Sequence, residues 1–306
     1  MMLLENLPVA RYELQFQVTQ PFELPDYAGS TLRGGFGRAL RKICCMTKLE
    51  GCKTCPLYRT CPYTNIFETP APESHQIQKF SQVPNGYIIE PPSWGRKYYR
   101  LGEVLRFNLV LMGNLVEQLP LITFAFKRAG EYNIAGGKAA LSALSLLAEK
   151  ESIPILLDDK IIEHSTILTF PKKLSSNLEL EILTPLRLQE NGKPLTDKTI
   201  SLERFLISLA KRIALLCEFH YQPLNLDFNS LIASIPQITQ SRNLKWQDWA
   251  RYSSRQQQKM KLGGLVGQWH LQNVPEDWAK LLYLGQWLHN GKNATFGLGK
   301  YKITNL

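Results

Sequence analysis

The sequence lacks a long hydrophobic run. One of its longest apolar stretches, 109–112, holds four residues, whereas a membrane-spanning helix needs about 20. The opening residues, MMLLENLPVARYELQF, have neither the basic start nor the apolar core of a secretion signal. These two absences argue against a membrane protein and against a secreted one. The sequence therefore predicts a cytoplasmic location and no membrane partner.

Acidic residues are scarce relative to basic ones. The chain has 26 Asp and Glu against 36 Lys and Arg, which gives a net charge of +10. A basic excess suits a polyanionic partner, although a basic protein without such a partner has the same composition. Between 242 and 261, six basic residues outnumber the single acid, Asp248, and aromatic residues stand among them. Cations alternating with flat rings are typical of contact with RNA phosphates and bases; the alternative is that the rings belong to the core.

The common motifs of phosphate and metal chemistry are also missing. The chain has no GxxxxGK[ST] phosphate-binding loop and no DxD or ExxH metal pair. The His-x-Thr pattern of two-histidine phosphoesterases occurs in one copy, at His164, where two are needed. If the protein cuts nucleic acid, these absences favour a route without a catalytic metal.

Cysteines are few, but five of the six lie between positions 44 and 61. Four of them read Cys45-x6-Cys52-x2-Cys55-x5-Cys61, a spacing that predicts a tetrahedral four-thiolate site for structural zinc. Cys44 is an alternative to Cys45 as a ligand, and a disulfide framework or an iron–sulfur cluster are alternatives to zinc. A closed four-thiolate site leaves no open position for chemistry, so its expected role is to hold an insertion at about 44–63 in shape.

The order of hydrophobic patterns predicts an α+β fold with two tandem ferredoxin-like (βαββαβ, RRM-like) domains. In the second half, period-two and helical patterns follow one another as β-α-β-β-α-β. The predicted elements are a strand at 179–188, a helix from Ser201, β-type runs at 244–252 and 262–271 joined by a loop at 253–259, a helix from Pro275 and a strand at 300–303. The first half is similar but less regular, with a helix at 30–43, a second helix at 115–126 and a glycine loop at 128–141. The expected domains are 1–172 and 176–306, with PKKLSSN as the linker.

A basic glycine-rich loop, 289–300, stands out near the end of the second domain. Glycines allow a backbone to approach phosphate closely and to present its N–H groups. Lysine adds a cation, and the imidazole of His289 can move a proton near neutral pH. The alternative for His289 is a purely structural place at the end of a helix.

Three stretches together resemble a known family. They are GSTLRGGFGRALRKICC with the following cysteines, RYSSRQQQKMKLGGLVG, and LGQWLHNGKNATFGLGKYKI. The resemblance is to the CRISPR-associated endoribonucleases that process precursor CRISPR RNA, in the RAMP superfamily, and it covers nearly the whole chain. It implies two ferredoxin-like domains that bind CRISPR repeat RNA. It also implies metal-independent cleavage, in which the ribose 2′-hydroxyl attacks the adjacent phosphate and leaves a 2′,3′-cyclic phosphate and a 5′-hydroxyl.

The chain departs from that family in its first helix, which has no histidine where many members carry the catalytic one. The resemblance therefore shifts the expected catalytic role to His289, with Lys292 on the phosphate and Tyr27 as a hydroxyl donor. The expected RNA-binding residues are Arg33, Arg38, Arg41, Lys42, Arg251, Arg255, Gly291, Gly297, Gly299 and Lys300. For the helix arginines, the alternative is a solvated surface. The missing histidine also leaves open a non-catalytic RAMP subunit that binds CRISPR RNA in an interference complex, or an unrelated ferredoxin-like RNA-binding protein.

Overall fold

The computed structural model of the chain describes residues 6–72, 83–148, 151–253 and 258–305. The chain forms two compact units. The N-terminal unit comprises Leu7–Leu168 together with Phe219–Tyr221, and the C-terminal unit comprises mainly Thr169–Glu218 and Gln222–Leu306. Within the described ranges, no helix combines the length and the apolar character that crossing a membrane requires.

The N-terminal unit is built on an antiparallel sheet. Its elements are β1 Val9–Gln20, β2 Phe22–Leu24, α1 Gly29–Cys44, α2 Pro62–Phe67, β3 Tyr87–Glu90, β4 Lys97–Tyr99, β5 Val104–Met112, α3 Leu119–Tyr132, β6 Lys138–Leu147, β7 Ser152–Pro154, β8 Leu156–Leu157 and β9 Lys160–Ile161. The sheet order is β3-β5-β1-β6-β7. Strands β1, β3, β5 and β6 with helices α1 and α3 give the βαββαβ order of a ferredoxin-like domain.

Alternation along β1 explains how this unit forms its core. Tyr12, Leu14 and Phe16 are fully buried, and they face one side of the sheet because successive strand side chains point to opposite faces. Helix α1 has no β-branched run in its centre, and it buries Leu32, Phe36 and Leu40 along one face. The Phe36 ring stacks on Phe126 of α3 with ring centroids 4.5 Å apart. The two helices therefore pack on the same face of the sheet.

The C-terminal unit repeats this plan. Its elements are β10 Leu178–Leu186, β11 Gln189–Glu190, β12 Lys193–Pro194, α4 Leu202–His220, α5 Phe228–Ser234, β13 Thr239–Gln247, β14 Ala250–Ser253, β15 Gln258–Lys261, β16 Gly264–Gln272, α6 Glu276–Leu288 and β17 Tyr301–Ile303. The sheet order β13-β16-β10-β17 matches that of β3-β5-β1-β6 in the first unit. The prediction of two tandem ferredoxin-like domains is therefore confirmed.

Several predicted boundaries are wrong. Helix α3 begins at Leu119 rather than 115, because Pro120 falls in its first turn, where the missing N–H costs nothing. The same helix continues to Tyr132, so Gly130 is helical and not part of a loop. The expected strand at 244–252 is two strands, β13 and β14, and β14 pairs with β15 in a two-stranded ribbon beyond the main sheet. Helix α5 was not predicted.

Candidate functional site

The glycine-rich loop after α6 owes its path to backbone conformations that glycine adopts at little cost. Positive φ angles occur at Gly291 (85°), Gly297 (93°) and Gly299 (71°). A side chain at Gly299 would also place a Cβ atom 1.7 Å from the Asn290 carbonyl oxygen. The glycine spacing therefore reflects a tightly folded turn, because other residues are strained at positive φ.

Hydrogen bonds tie this loop to the rest of its unit. The buried Asn290 donates from Nδ2 to the Phe205 carbonyl (2.9 Å), and its Oδ1 accepts from the Ser208 hydroxyl (2.9 Å). The Thr184 hydroxyl donates to the Gly297 carbonyl at 2.8 Å. These contacts join the loop to α4 and β10, so the loop is part of the core of the C-terminal unit.

His289 does not lie where the sequence-based prediction placed it. Its side chain is fully buried, and its Nδ1 lies 3.2 Å from the Leu298 carbonyl oxygen. The Arg212 Nε donates to the carbonyls of Leu288 (2.9 Å) and His289 (3.2 Å) at the end of α6, where a cation is favoured by the helix dipole. Burial lowers the pKa of Arg212 to about 10. The prediction of a surface imidazole beside RNA is thus wrong, and the structure shows His289 in a structural role at a helix end.

Tyr27 is also buried, at 2% exposure. Its ring packs on Trp94 with centroids 5.0 Å apart. Burial and the nearby carboxylate of Glu90 raise the pKa of Tyr27 well above its usual value. A hydroxyl in this position does not reach a substrate on the surface, so the expectation that Tyr27 acts as a hydroxyl donor is corrected.

The four cations of helix α1 divide into two pairs. Arg33 donates from Nε to the Tyr87 hydroxyl (3.0 Å), and its guanidinium lies 4.1 Å from the centre of the Phe67 ring. Arg41 donates from Nη2 to the carbonyls of residues 49 and 50, both at 2.7 Å. Both arginines therefore stabilise their own unit. Arg38 and Lys42 are exposed and line a groove between α1 and α3.

Lys292, predicted as the catalytic phosphate partner, and the remaining predicted RNA-binding residues have different environments. Lys292 is exposed, while its backbone N–H donates to the Arg187 carbonyl at 2.9 Å. The Lys300 N–H donates to the Thr184 hydroxyl at 2.8 Å. Arg251 lies in strand β14, and Arg255 lies outside the described residues. Of the predicted loop residues, Lys292 presents the most accessible charge for a phosphate.

The four cysteines of the predicted zinc site line one small cavity. Cys45, Cys52, Cys55 and Cys61 surround a volume of about 20 Å³ in the irregular segment between α1 and α2. The Thr47 hydroxyl lies 3.3 Å from the Cys55 sulfur. Within the described part of the chain, however, no three potential ligands are arranged for a metal ion. The structure brings the thiols to one cavity, and zinc binding stays a prediction.

One accessible imidazole, His270, was not among the predicted site residues, because the sequence left the face of its strand undecided. Among the histidines that the structure describes, the ring of His270 is 43% exposed, and its Nδ1 lies 3.7 Å from Glu179 Oε1. The two residues are direct cross-strand partners on β16 and β10. By contrast, His164 bonds the Tyr12 hydroxyl at 3.0 Å, and the buried His220 bonds the Pro84 carbonyl at 2.7 Å. Only the pairing register of β10 and β16 places His270 beside Glu179, and this register cannot be obtained from the sequence alone.

Two family models match the chain. The model described as CRISPR-associated endoribonuclease Cas6 matches residues 180–301, and the N-terminal domain model AF_1859_N matches residues 7–167. Residues 180–301 therefore carry a domain of the CRISPR-associated Cas6 type, and residues 7–167 carry the AF_1859_N domain.

Individual proteins resemble this chain over nearly its whole length, but at low sequence identity. An uncharacterized protein of Archaeoglobus fulgidus is 23% identical over 97% of this chain and 98% of its own length. A Cas6 (TTHB231) product complex matches 96% of this chain and 98% of that chain, with a TM-score of 0.58 and 12% identity; the TTHB231 protein is from Thermus thermophilus. A partial Cas6-RT-Cas1–Cas2 complex matches 99% of this chain with a TM-score of 0.59 and 15% identity, and this chain spans 47% of the matched chain. At these identities the solved structures show a shared fold.

Proposed function

We propose that this protein is a metal-independent endoribonuclease that cleaves CRISPR repeat RNA and produces mature CRISPR RNA. The observation that carries the proposal is the Cas6 domain match over residues 180–301, which includes the whole glycine-rich loop up to Lys300. The basic excess of the chain supports an RNA partner. The proposed products are a 2′,3′-cyclic phosphate on one fragment and a 5′-hydroxyl on the other.

The protein must provide three chemical groups for this reaction: a base, an acid and a cation. A base takes the proton from the ribose 2′-hydroxyl as that oxygen bonds to phosphorus. An acid returns a proton to the 5′-oxygen as the phosphorus–oxygen bond breaks, and a cation stabilises the charge that develops on the phosphate. Lys292 is an exposed cation on the glycine-rich loop, and its N–H bonds Arg187, roughly 25 Å along β10 from Glu179. We therefore assign it a contact with an RNA phosphate away from the cleaved linkage. His270, with Glu179 beside its ring, is the imidazole that we assign to proton transfer in place of His289.

The activity is tested by incubating the pure protein with repeat RNA in EDTA. We expect cleavage at one position within the repeat, a cyclic phosphate end that acid converts to a 2′ or 3′ monophosphate, and no cleavage when the 2′-hydroxyl at that position is replaced by hydrogen. Cleavage that stops in EDTA and resumes when Mg²⁺ is added, or cleavage of the 2′-deoxy substrate, would overturn the proposed route.

Variants test the two assigned residues separately. Proton-transfer groups contribute roughly 10²- to 10⁴-fold to a rate, so we expect a loss of that order in His270→Ala with repeat binding intact. Lys292→Ala should slow cleavage, and Lys292→Arg should recover part of the rate because it keeps the charge. Lys198→Ala, at another exposed lysine of the same unit, is the matched control. Unchanged cleavage by His270→Ala would remove that assignment and leave the activity itself in place.

A second function is favoured by the burial of His289 together with the lack of histidine on helix α1. In this alternative, the protein binds CRISPR RNA as a non-catalytic subunit of an interference complex. Tight binding to repeat RNA without cleavage under any condition would select it. In either case, we propose that the protein has CRISPR-associated proteins as partners. Support comes from the fold that it shares with a chain of a partial Cas6-RT-Cas1–Cas2 complex.

We further propose that Cys45, Cys52, Cys55 and Cys61 hold a structural zinc ion. Support comes from their common cavity and from the Thr47 hydroxyl beside the Cys55 sulfur, a contact of the kind that orients thiolate ligands. Binding would require the thiols to draw together around the ion. Such a site would stabilise the segment between α1 and α2 and take no part in the reaction.

A further inference from the structure

A groove on the helical face of the N-terminal unit has the chemistry of a binding site for single-stranded nucleic acid. It lies between α1 and α3 and has a volume of about 720 Å³. Its floor is made of small residues: a Cβ atom at Gly35 would lie 3.8 Å from the Cβ of Ala129. Because the helices approach closely at these small residues, the long side chains at either side stand up as walls.

Flat and apolar side chains in the groove walls are exposed to an unusual degree. Tyr132 is 75% exposed, Phe124 is 48% exposed and Ile43 is 37% exposed. Tyr132 ends α3, and Phe124 lies two turns earlier on the same helix. Exposed rings on one face supply the π surfaces on which unpaired bases stack, and this stacking tolerates any base sequence.

Positive charge accompanies these rings. Arg38 and Lys42 lie one turn apart on α1, which has no acidic residue, and Lys42 Nζ is 5.5 Å from the centre of the Tyr132 ring. Within the described residues, neither Arg38 nor Lys42 forms an ion pair with a carboxylate. The acid that lines the groove, Glu131, is already paired with Arg128 at 3.0 Å. The groove therefore has a net positive charge next to its stacking surfaces.

We propose that this groove binds unpaired nucleotides of the RNA, with bases stacked on Tyr132 and Phe124 and phosphates held by Arg38 and Lys42. The inference rests on the proposed function for the identity of the ligand. It assigns the RNA contact to a different face of α1 from the one that carries Arg33, which is engaged with Tyr87. A purely apolar protein partner fits less well. It would bury the charges of Arg38 and Lys42 without supplying carboxylates to pair with them, which is costly.

The test is the affinity of the protein for a short unstructured RNA, measured by fluorescence anisotropy. We expect Tyr132→Ala to weaken binding about 5- to 150-fold, the range of one lost base stack. Tyr132→Phe should bind like the wild type, because it keeps the ring. Tyr98→Ala is the matched control, since Tyr98 is 58% exposed in the same unit and does not line the groove. The double variant of Arg38 and Lys42 to alanine should lower the slope of log affinity against log salt by about 1.4, as expected for two contacts to single strands.

The outcomes separate this inference from the proposed activity. If repeat RNA is cleaved normally and Tyr132→Ala binds as the wild type does, the groove proposal is overturned and the nuclease stands. If the protein binds unstructured RNA through Tyr132 but never cleaves the repeat, the groove proposal stands and the nuclease does not. Equal losses in Tyr132→Ala and Tyr98→Ala, or no RNA binding by the wild type, would also overturn the groove proposal.

Discussion

Replacing Gly299 with alanine tests whether the glycine-rich loop is held by backbone contacts inside its unit. The new Cβ atom would lie 1.7 Å from the Asn290 carbonyl oxygen, where ordinary contact is about 3.5–4.0 Å. That carbonyl cannot move away freely, because the Asn290 side chain bonds Phe205 and Ser208 and its N–H donates to the Gly299 carbonyl at 3.1 Å. The substitution must therefore displace backbone on both sides of the contact.

The cost has two parts, and a second glycine separates them. An L-residue with positive φ costs about 1–2 kcal/mol, and overpacking adds about 1–3 kcal/mol. Gly192 also has positive φ, at 77°, but a Cβ atom there meets nothing within 4 Å. Gly192→Ala should therefore lose about 1–2 kcal/mol, and Gly299→Ala about 2–5 kcal/mol, of the free energy of unfolding.

Urea unfolding followed by tryptophan fluorescence measures this difference in the correct unit. Five of the six tryptophans belong to the C-terminal unit, as do both glycines. With a denaturant slope of about 1–3 kcal/mol per molar, the midpoint of Gly299→Ala should fall below that of Gly192→Ala by about 1 M. Equal midpoints for the two variants would show that the close contact between position 299 and Asn290 does not exist in solution. The conclusion that backbone contacts hold the loop rigid would then be wrong.

Three further predictions concern the N-terminal unit. Burial, partly offset by Arg33, raises the pKa of Tyr87 to about 12. Since the folded-state pKa is raised, its stabilisation of about 3 kcal/mol is complete below about pH 10 and lost as the pH rises to about 12, so Tyr87→Phe should flatten the alkaline loss of stability. Glu90 is 3% exposed and pairs with Arg11 at 3.0 Å, so Glu90→Gln should cost about 3–5 kcal/mol in thermal or urea unfolding. Metal analysis of freshly reduced protein should find about one zinc ion per chain, and Cys55→Ser should lower it.

Each of these predictions has a matched comparison. An alkaline profile as steep in Tyr87→Phe as in the wild type would contradict the raised pKa. Glu23 pairs with Arg96 at 3.2 Å on the surface, so Glu23→Gln should cost less than about 1 kcal/mol; equal losses in the two glutamate variants would remove the argument from burial. The absence of zinc from reduced protein would end the four-thiolate proposal, and metal retention by Cys44→Ser would identify Cys45 as the ligand.

The wrong prediction for His289 shows where sequence reasoning stops. Local pattern correctly placed this residue at the end of a helix, before a glycine turn. Its ring Nδ1 meets the Leu298 carbonyl in the interior, and Arg212, 77 positions earlier, donates from Nε to the His289 backbone carbonyl at the end of that helix. The residues next to His289 in the sequence do not reveal either contact. A titratable side chain was therefore expected to be exposed, although it is buried.

The environments of the cations on helix α1 were likewise not predictable from the sequence. All four were expected to bind RNA, but Arg33 instead bonds Tyr87, 54 positions away. Arg41 instead completes the hydrogen bonding of the segment that follows its own helix. Only Arg38 and Lys42 face the groove, and the rings that accompany them come from α3. A binding surface made from two helices is a property of their packing and not of either segment.

By itself, the sequence determined the order of the main helices and strands of each unit, their amphipathic faces and hence two ferredoxin-like units. These features follow from repeats of 2 and 3.6 residues and from turn residues, which act between neighbours in the chain. Tertiary structure alone decided which charged and titratable groups face solvent and which are enclosed. That outcome depends on contacts between residues far apart in the chain, because enclosing a polar group is tolerated only where a distant partner completes its hydrogen bonds.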